Sequence, residues 1–173
     1  MSIFKFFENS ILKKTNVVLH IFSMCLFMGM TICVFLQVIF RYAVPIPTPW
    51  TEEAARFLFI WATFMGAAYA FSTGEHLNVK ILLTNISSDK LRGFILVIAD
   101  CLCFWFLGTY VVNGFTLTNL LLEVGQTPPS MDFLQMGWVY YAIPLGSLLM
   151  IINLLPNFAN HLSMIFGVKG DEK

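Results

Sequence analysis

Charge is what this chain has least of. Asp, Glu, Lys and Arg together make up 12% of its 173 residues, about half the share usual in soluble domains. Ten basic and ten acidic residues cancel, which excludes the basic footprint of a nucleic-acid binder. Hydrophobic residues reach 58%, including 18 Phe, which excludes a disordered chain and leaves too little polar surface for a soluble domain. Cysteine is also scarce. Cys25 and Cys33 share one apolar run and Cys101 and Cys103 another, without the Cys-x-x-Cys spacing of a zinc or redox site. They read as free, buried, small hydrophobes. No internal repeat is visible, and no connection between apolar runs is long enough to be a folded water-soluble domain. Catalysis outside the membrane has nowhere to sit, so the chain is not read as an enzyme.

What is present is four long apolar runs. Val17 to Phe40 has no charged residue and exceeds the roughly 20 residues needed to cross a bilayer core. Ala54 to Thr73 contains only Arg56, Gly93 to Leu122 only Asp100, and Phe133 to Phe158 no charge at all. Pro144 inside the last run predicts a kink. The runs are continuous rather than alternating, which excludes a membrane β-barrel. The first is too long for the ~7–15-residue core of a signal peptide and is read as permanent. The expected architecture is an all-α membrane protein with four transmembrane helices, near 17–40, 50–73, 91–122 and 133–158. Short amphipathic interfacial helices are expected near 2–14 and 77–86. Lys5, Lys13, Lys14, Lys80, Lys90, Arg92, Lys169 and Lys173 fall on one side, against Arg41 and Arg56 on the other. The excess predicts that both termini are cytoplasmic.

Polar residues cluster at one helix start, Thr48-Pro49-Trp50-Thr51-Glu52-Glu53-Ala54-Ala55-Arg56. Thr48 reads as the N-cap and Pro49 as the first helical residue. Glu52 and Glu53 lie near the positive end of the helix dipole, with Arg56 four residues after Glu52. Two carboxylates and a guanidinium exceed what a cap needs, and are candidate contacts to a partner protein or lipid headgroup. Ala62, Gly66 and Ala70 form a small-xxx-small stripe that admits close helix approach. Ala142 and Gly146 repeat it weakly. Asp100 is the only acid well inside a span, where an ionised carboxylate costs at least ~2.5–3.5 kcal/mol. A hydrogen bond to a neighbouring helix is expected there rather than a proton relay. His20, His76 and His161 raise the alternative of a haem- or quinone-associated membrane anchor of a redox enzyme, but they offer no facing pair on two spans. The polar inventory within the spans is thin, mainly Gln37, Thr109 and Asn113, with no pair of broken helices. A small self-sufficient exporter would lack a pathway. The chain is expected to sit beside another polypeptide.

Several segments carry a family likeness: Arg41-Tyr42, Trp50 to Trp61, Gly66-Ala67-Ala68, Gly74-Glu75-His76-Leu77-Asn78-Val79, Pro128-Pro129-Ser130, and Tyr141 to Gly146. In order and spacing they resemble the DctQ family, the small membrane subunits of tripartite ATP-independent periplasmic (TRAP) transporters. The doubled Pro128-Pro129 departs from the single proline expected. The resemblance implies a bacterial inner-membrane protein with no cofactor and no metal. It implies two protein partners, a large multi-span membrane subunit that carries solute and sodium, and a periplasmic solute-binding protein that delivers an organic acid. The sialic-acid members look nearest. Glu52, Glu53, Arg56, Ala62, Gly66 and Ala70 are the residues expected at the partner interface, alongside membrane lipids.

Overall fold

A membrane interior offers no water to the backbone, so an apolar run there must close its hydrogen bonds within itself, as a helix does. The computed structural model describes residues 2–43, 47–73 and 89–165, with side chains for 14–43, 47–73, 91–163 and 165. It consists of α1 (Ser2–Tyr42), α2 (Pro49–Thr73), α3 (Asp89–Val124), α4 (Met136–Tyr140) and α5 (Ala142–Ile165). Four stretches are long and apolar enough to span a membrane: Lys14–Tyr42, Pro49–Thr73, Leu91–Val124 and Met136–Ser163.

The segment expected as a separate interfacial helix at 2–14 is continuous with α1, a single helix of 41 residues and about 60 Å. The second expected interfacial segment, 77–86, lies outside the described residues, as does His76. α4 and α5 form one span interrupted at Tyr141. The Tyr141 N–H still donates to Gly137 O at 3.0 Å, and the Leu145 N–H donates to Tyr141 O at 3.3 Å. Between them Pro144 has no N–H to donate. A second proline, Pro156, sits inside α5.

Helix order in space differs from order in sequence. α1 packs on α2, α2 on α5, and α5 on α3, giving an open row with α2 and α5 in the middle. Contacts along the α2–α5 seam advance together: Phe64 with Gly146, Ala68 with Asn153, Phe71 with Asn157. These two helices are therefore parallel. Along the α3–α5 seam the pairs run in opposite directions, from Asp100 with His161 through Phe104 with Phe158 to Phe115 with Tyr141. That seam is antiparallel.

Close approach is set by glycine. A methyl group on Gly146 would stand 2.6 Å from Phe64 Cβ, and one on Gly114 would stand 2.9 Å from Pro144 Cδ. The core gathers Leu19, Met65, Ala68, Phe71, Leu107, Met150 and Leu154. α3 ends on Gly125 with φ +64°. The Gln126 N–H bonds Leu121 O and the Gly125 N–H bonds Leu122 O, a Schellman stop.

Candidate interaction surfaces

The start of α2 holds more than a cap. The Thr48 carbonyl accepts the Thr51 N–H at 3.2 Å and the Thr51 hydroxyl at 2.8 Å, and Thr51 is fully buried. Arg56 and Glu52 pair at 3.3 Å with both side chains about 60% exposed, so the bridge contributes little by itself. Glu53 behaves differently from its neighbour. Its Oε2 accepts the Ser130 N–H at 3.2 Å and also the Ser130 hydroxyl, which ties the 125–135 connection to α2. Trp50, Phe133 and Trp138 stand exposed nearby in sequence.

Toward the opposite end of the α2–α5 seam, at the C-terminus of α2, a second set of polar residues lies on α5. Asn153, Asn157 and His161 recur every four residues and so share one side of the helix. The Asn153 amide donates to Ala68 O at 3.0 Å, and the Asn157 amide to Phe71 O at 3.2 Å. Ser72 and Thr73 hydroxyls bond Tyr69 O and Ala70 O. Carbonyls near the C-terminus of α2 thus accept side-chain donors, and those of Ala70 and Phe71 belong to its last four, where in-helix partners run out. His161 Nδ1 lies 2.7 Å from Asp100 Oδ2, and Asp100 is fully buried. Its other oxygen, Oδ1, has no partner among the described residues.

The small-residue stripe divides. Ala62 and Gly66 line a groove between α2 and α1, whereas Ala70 lies one turn beyond it. A methyl on Gly66 would meet nothing within 4 Å. Ala142 is fully buried. Cys25 and Cys101, expected to be buried, are exposed on α1 and α3. The reason is the open row: those faces have no neighbour among the described residues. Only 6% of the apolar stretch of α1 is buried, against 44% for the last span. Phe27, Met28 and Phe35 on α1, and Trp105, Phe106 and Val112 on α3, are all more than half exposed.

Sequence reasoning missed Ser130, Asn153, Asn157 and the pairing of His161. The four-residue recurrence of 153, 157 and 161 within an apolar run was a usable signal for three of them. Nothing in the sequence joins Ser130 to Glu53, 77 positions away. The two described histidines do not face one another. His20 stacks on Tyr69 with ring centroids 4.6 Å apart, while His161 is held by Asp100 on another seam, so the geometry does not favour a paired-imidazole haem site. No group of three metal-ligating side chains occurs among the described residues.

The family model "Tripartite ATP-independent periplasmic transporters, DctQ component" matches residues 30–164. The chain belongs to the DctQ family. Three relatives carry names of the same kind. The C4-dicarboxylate TRAP transporter small permease protein of Rhodobacter capsulatus is 33% identical over 61% of this chain and 46% of its own length. A putative TRAP transporter small permease protein of Haemophilus influenzae is 27% identical over 87% of this chain and 91% of its own. The sialic acid TRAP transporter small permease protein of Vibrio cholerae is 23% identical over 74% and 72%. The DctQ-family chain also matches a stretch of two much longer permeases. These are a sialic acid TRAP permease of H. influenzae and an isethionate TRAP permease of Oleidesulfovibrio alaskensis, of which it spans 19% and 17%. With four apolar helices of spanning length, this DctQ-family member is a multi-pass protein of the bacterial inner membrane.

Proposed function

We propose that this chain is the small membrane subunit of a TRAP-type secondary transporter, bracing a large solute-carrying subunit during sodium-coupled uptake of an organic acid delivered by a periplasmic binding protein. The observation that carries the reading is the match of this chain to a stretch of two much longer TRAP permeases. The α1 edge, of whose most apolar stretch 6% is buried, is open to a partner helix that fits it in shape. The two longer permeases support a large-subunit partner, because in each a segment like this chain is joined to a much larger polypeptide.

In this proposal the α1–α2 edge faces the large subunit, and the small residues Ala62, Gly66 and Ala70 let a helix of that subunit approach. Glu52 and Arg56 set orientation at the outer boundary, and Glu53 holds the 125–135 connection where the binding protein docks. Both termini lie in the cytoplasm, on the lysine excess of that side. The solute class is a small organic acid. Sialic acid is the first solute to test, because the V. cholerae relative is matched over 74% of this chain.

Purification from native membranes in mild detergent, with co-eluting chains identified by mass, is the direct test. A large hydrophobic companion is the expected result. Elution of the chain alone, together with sodium-driven import of an organic anion by liposomes holding only this chain, would overturn the proposal.

A further inference from the structure

A hydroxyl inside an apolar helix usually bonds a carbonyl one turn back on its own helix. On α3, Thr109 donates to Phe106 O at 2.7 Å and Thr116 to Val112 O at 3.0 Å. On α5, Ser147 donates to Ile143 O at 2.8 Å. Thr118 departs from this pattern. It is fully buried, and its Oγ1 meets no hydrogen-bond partner among the described residues. A hydroxyl sealed among apolar groups without a partner is strongly disfavoured.

The place that Thr118 faces is the break in the last span. Gly114, Thr118 and Leu122 recur every four residues and so share one side of α3. Gly114 lies against Ile143 and Pro144, and Leu122 against Gly137. Midway between those two contacts, the turn at Tyr140 and Tyr141 comes opposite Thr118. Residue 144 would be the regular donor to Tyr140 O, but it is a proline and has no N–H. An unpartnered hydroxyl and a carbonyl deprived of its regular donor therefore meet on one seam, without a direct bond between them. Polar groups so placed are the ordinary setting of a bridging water. Helices broken by proline within membranes use ordered water in this way.

We propose that one water molecule is bound between α3 and the α4–α5 joint. It accepts the Thr118 hydroxyl hydrogen and donates one of its own to Tyr140 O, two polar partners being the least that a buried water keeps. Ala142 and Pro144, both fully buried, help to enclose it. The water restores the hydrogen bond that Pro144 removes, and so holds the bend that joins α4 to α5. The inference does not depend on the identity of any protein partner.

Radiolytic footprinting of the purified full chain with X-ray pulses tests it, because a bound water oxidises the side chains beside it even where bulk solvent does not reach. Pro144 is the reporter. Its oxidation is expected in wild type and in Thr118→Ser, which keeps the hydroxyl, and should fall several-fold in Thr118→Val. Thr118→Val should also lower the thermal midpoint by about 2–4 °C. Pro144→Ala gives Tyr140 O an N–H donor, so in that background Thr118→Val should lower the midpoint less. If Thr118→Val disturbs the helical circular dichroism, Thr118→Cys, with its weak donor, replaces it. An unchanged or higher midpoint in Thr118→Val would overturn the proposal, as the result for a dry hydroxyl. Equal Pro144 oxidation in wild type and Thr118→Val would overturn it too. A lowered midpoint without Pro144 oxidation in wild type would overturn it in favour of a direct bond from Thr118 to Tyr140 O.

Discussion

Asp100 is fully buried, and among the described residues only its Oδ2 meets a partner, the His161 ring at 2.7 Å. Such a pair makes single and double replacements unequal. Removing His161 alone leaves a buried carboxylate without its donor, a loss of up to about 3–5 kcal/mol for buried pairs, whereas replacing both partners with apolar residues is often neutral or stabilising. His161→Ala should therefore lower the unfolding midpoint in detergent more than the double variant Asp100→Leu, His161→Leu does. Equal loss in the two would mean that packing, not polarity, governs the site. Glu53 and Ser130 permit a second residue-level measurement. A hydrogen bond to a charged acceptor contributes about 1.5–3 kcal/mol, although the partial exposure of this pair lowers the figure. A double-mutant cycle of Glu53→Ala and Ser130→Ala should yield a coupling energy of at least about 0.5 kcal/mol, the usual floor for residues in contact. The Glu52–Arg56 pair, about 60% exposed on each side, should show almost none.

Helix contacts in this chain are decided where glycine lets one backbone approach another, and not every glycine has that role. A methyl on Gly146 would press to within 2.6 Å of Phe64 Cβ, while one on Gly66 or Gly108 would meet nothing. Overpacking of this kind costs typically about 1–3 kcal/mol. Gly146→Ala should lower thermal stability measurably. Gly66→Ala and Gly108→Ala should hold it level or raise it, since alanine is the better helix former. The α2–α5 seam has a polar component as well. Asn153→Leu deletes a buried side-chain donor to Ala68 O, a bond of about 0.6 kcal/mol on average between membrane helices. A midpoint lowered by that variant but unchanged by Asn160→Leu, on an exposed position, would place the effect at the bond.

An open row of four helices has two edges, and the edges are where this molecule is greasiest. If α1 is covered by a large subunit, Cys25, exposed on that helix, should react several-fold more slowly with a membrane-permeant maleimide in the co-purified complex than in the isolated chain. Cys101 on α3 serves as the reference on the other edge. Equal rates at Cys25 in both samples would remove α1 from the interface. Orientation is a property of the whole chain too. The positive-inside excess leads us to expect fluorescence from a fluorescent protein fused after Lys173, and enzyme activity from a phosphatase inserted near Gln126. The opposite pattern would invert the molecule.

Much of this architecture was legible in advance because hydrophobic length is written locally. Four uncharged or nearly uncharged runs predict four helices, since a backbone in lipid has few other ways to satisfy its polar groups. The start of α2 at Pro49 and its acidic first turn follow from neighbouring residues alone. The likeness to the DctQ family was likewise carried by short segments in order along the chain. Local pattern could not show which helices touch. The spatial order α1, α2, α5, α3, the parallel run of α2 with α5, and the meetings of Glu53 with Ser130 and Asp100 with His161 all join residues distant in sequence, from Phe115 with Tyr141 to Phe71 with Asn157. They depend on which faces fit, and side-chain volume at a few glycines and amide geometry at two asparagines decide that fit. Hydrophobicity places each helix in the membrane, but in lipid it cannot choose among neighbours, because lipid is as apolar as they are. Shape and hydrogen bonding make that choice, and they exist only once the helices have met.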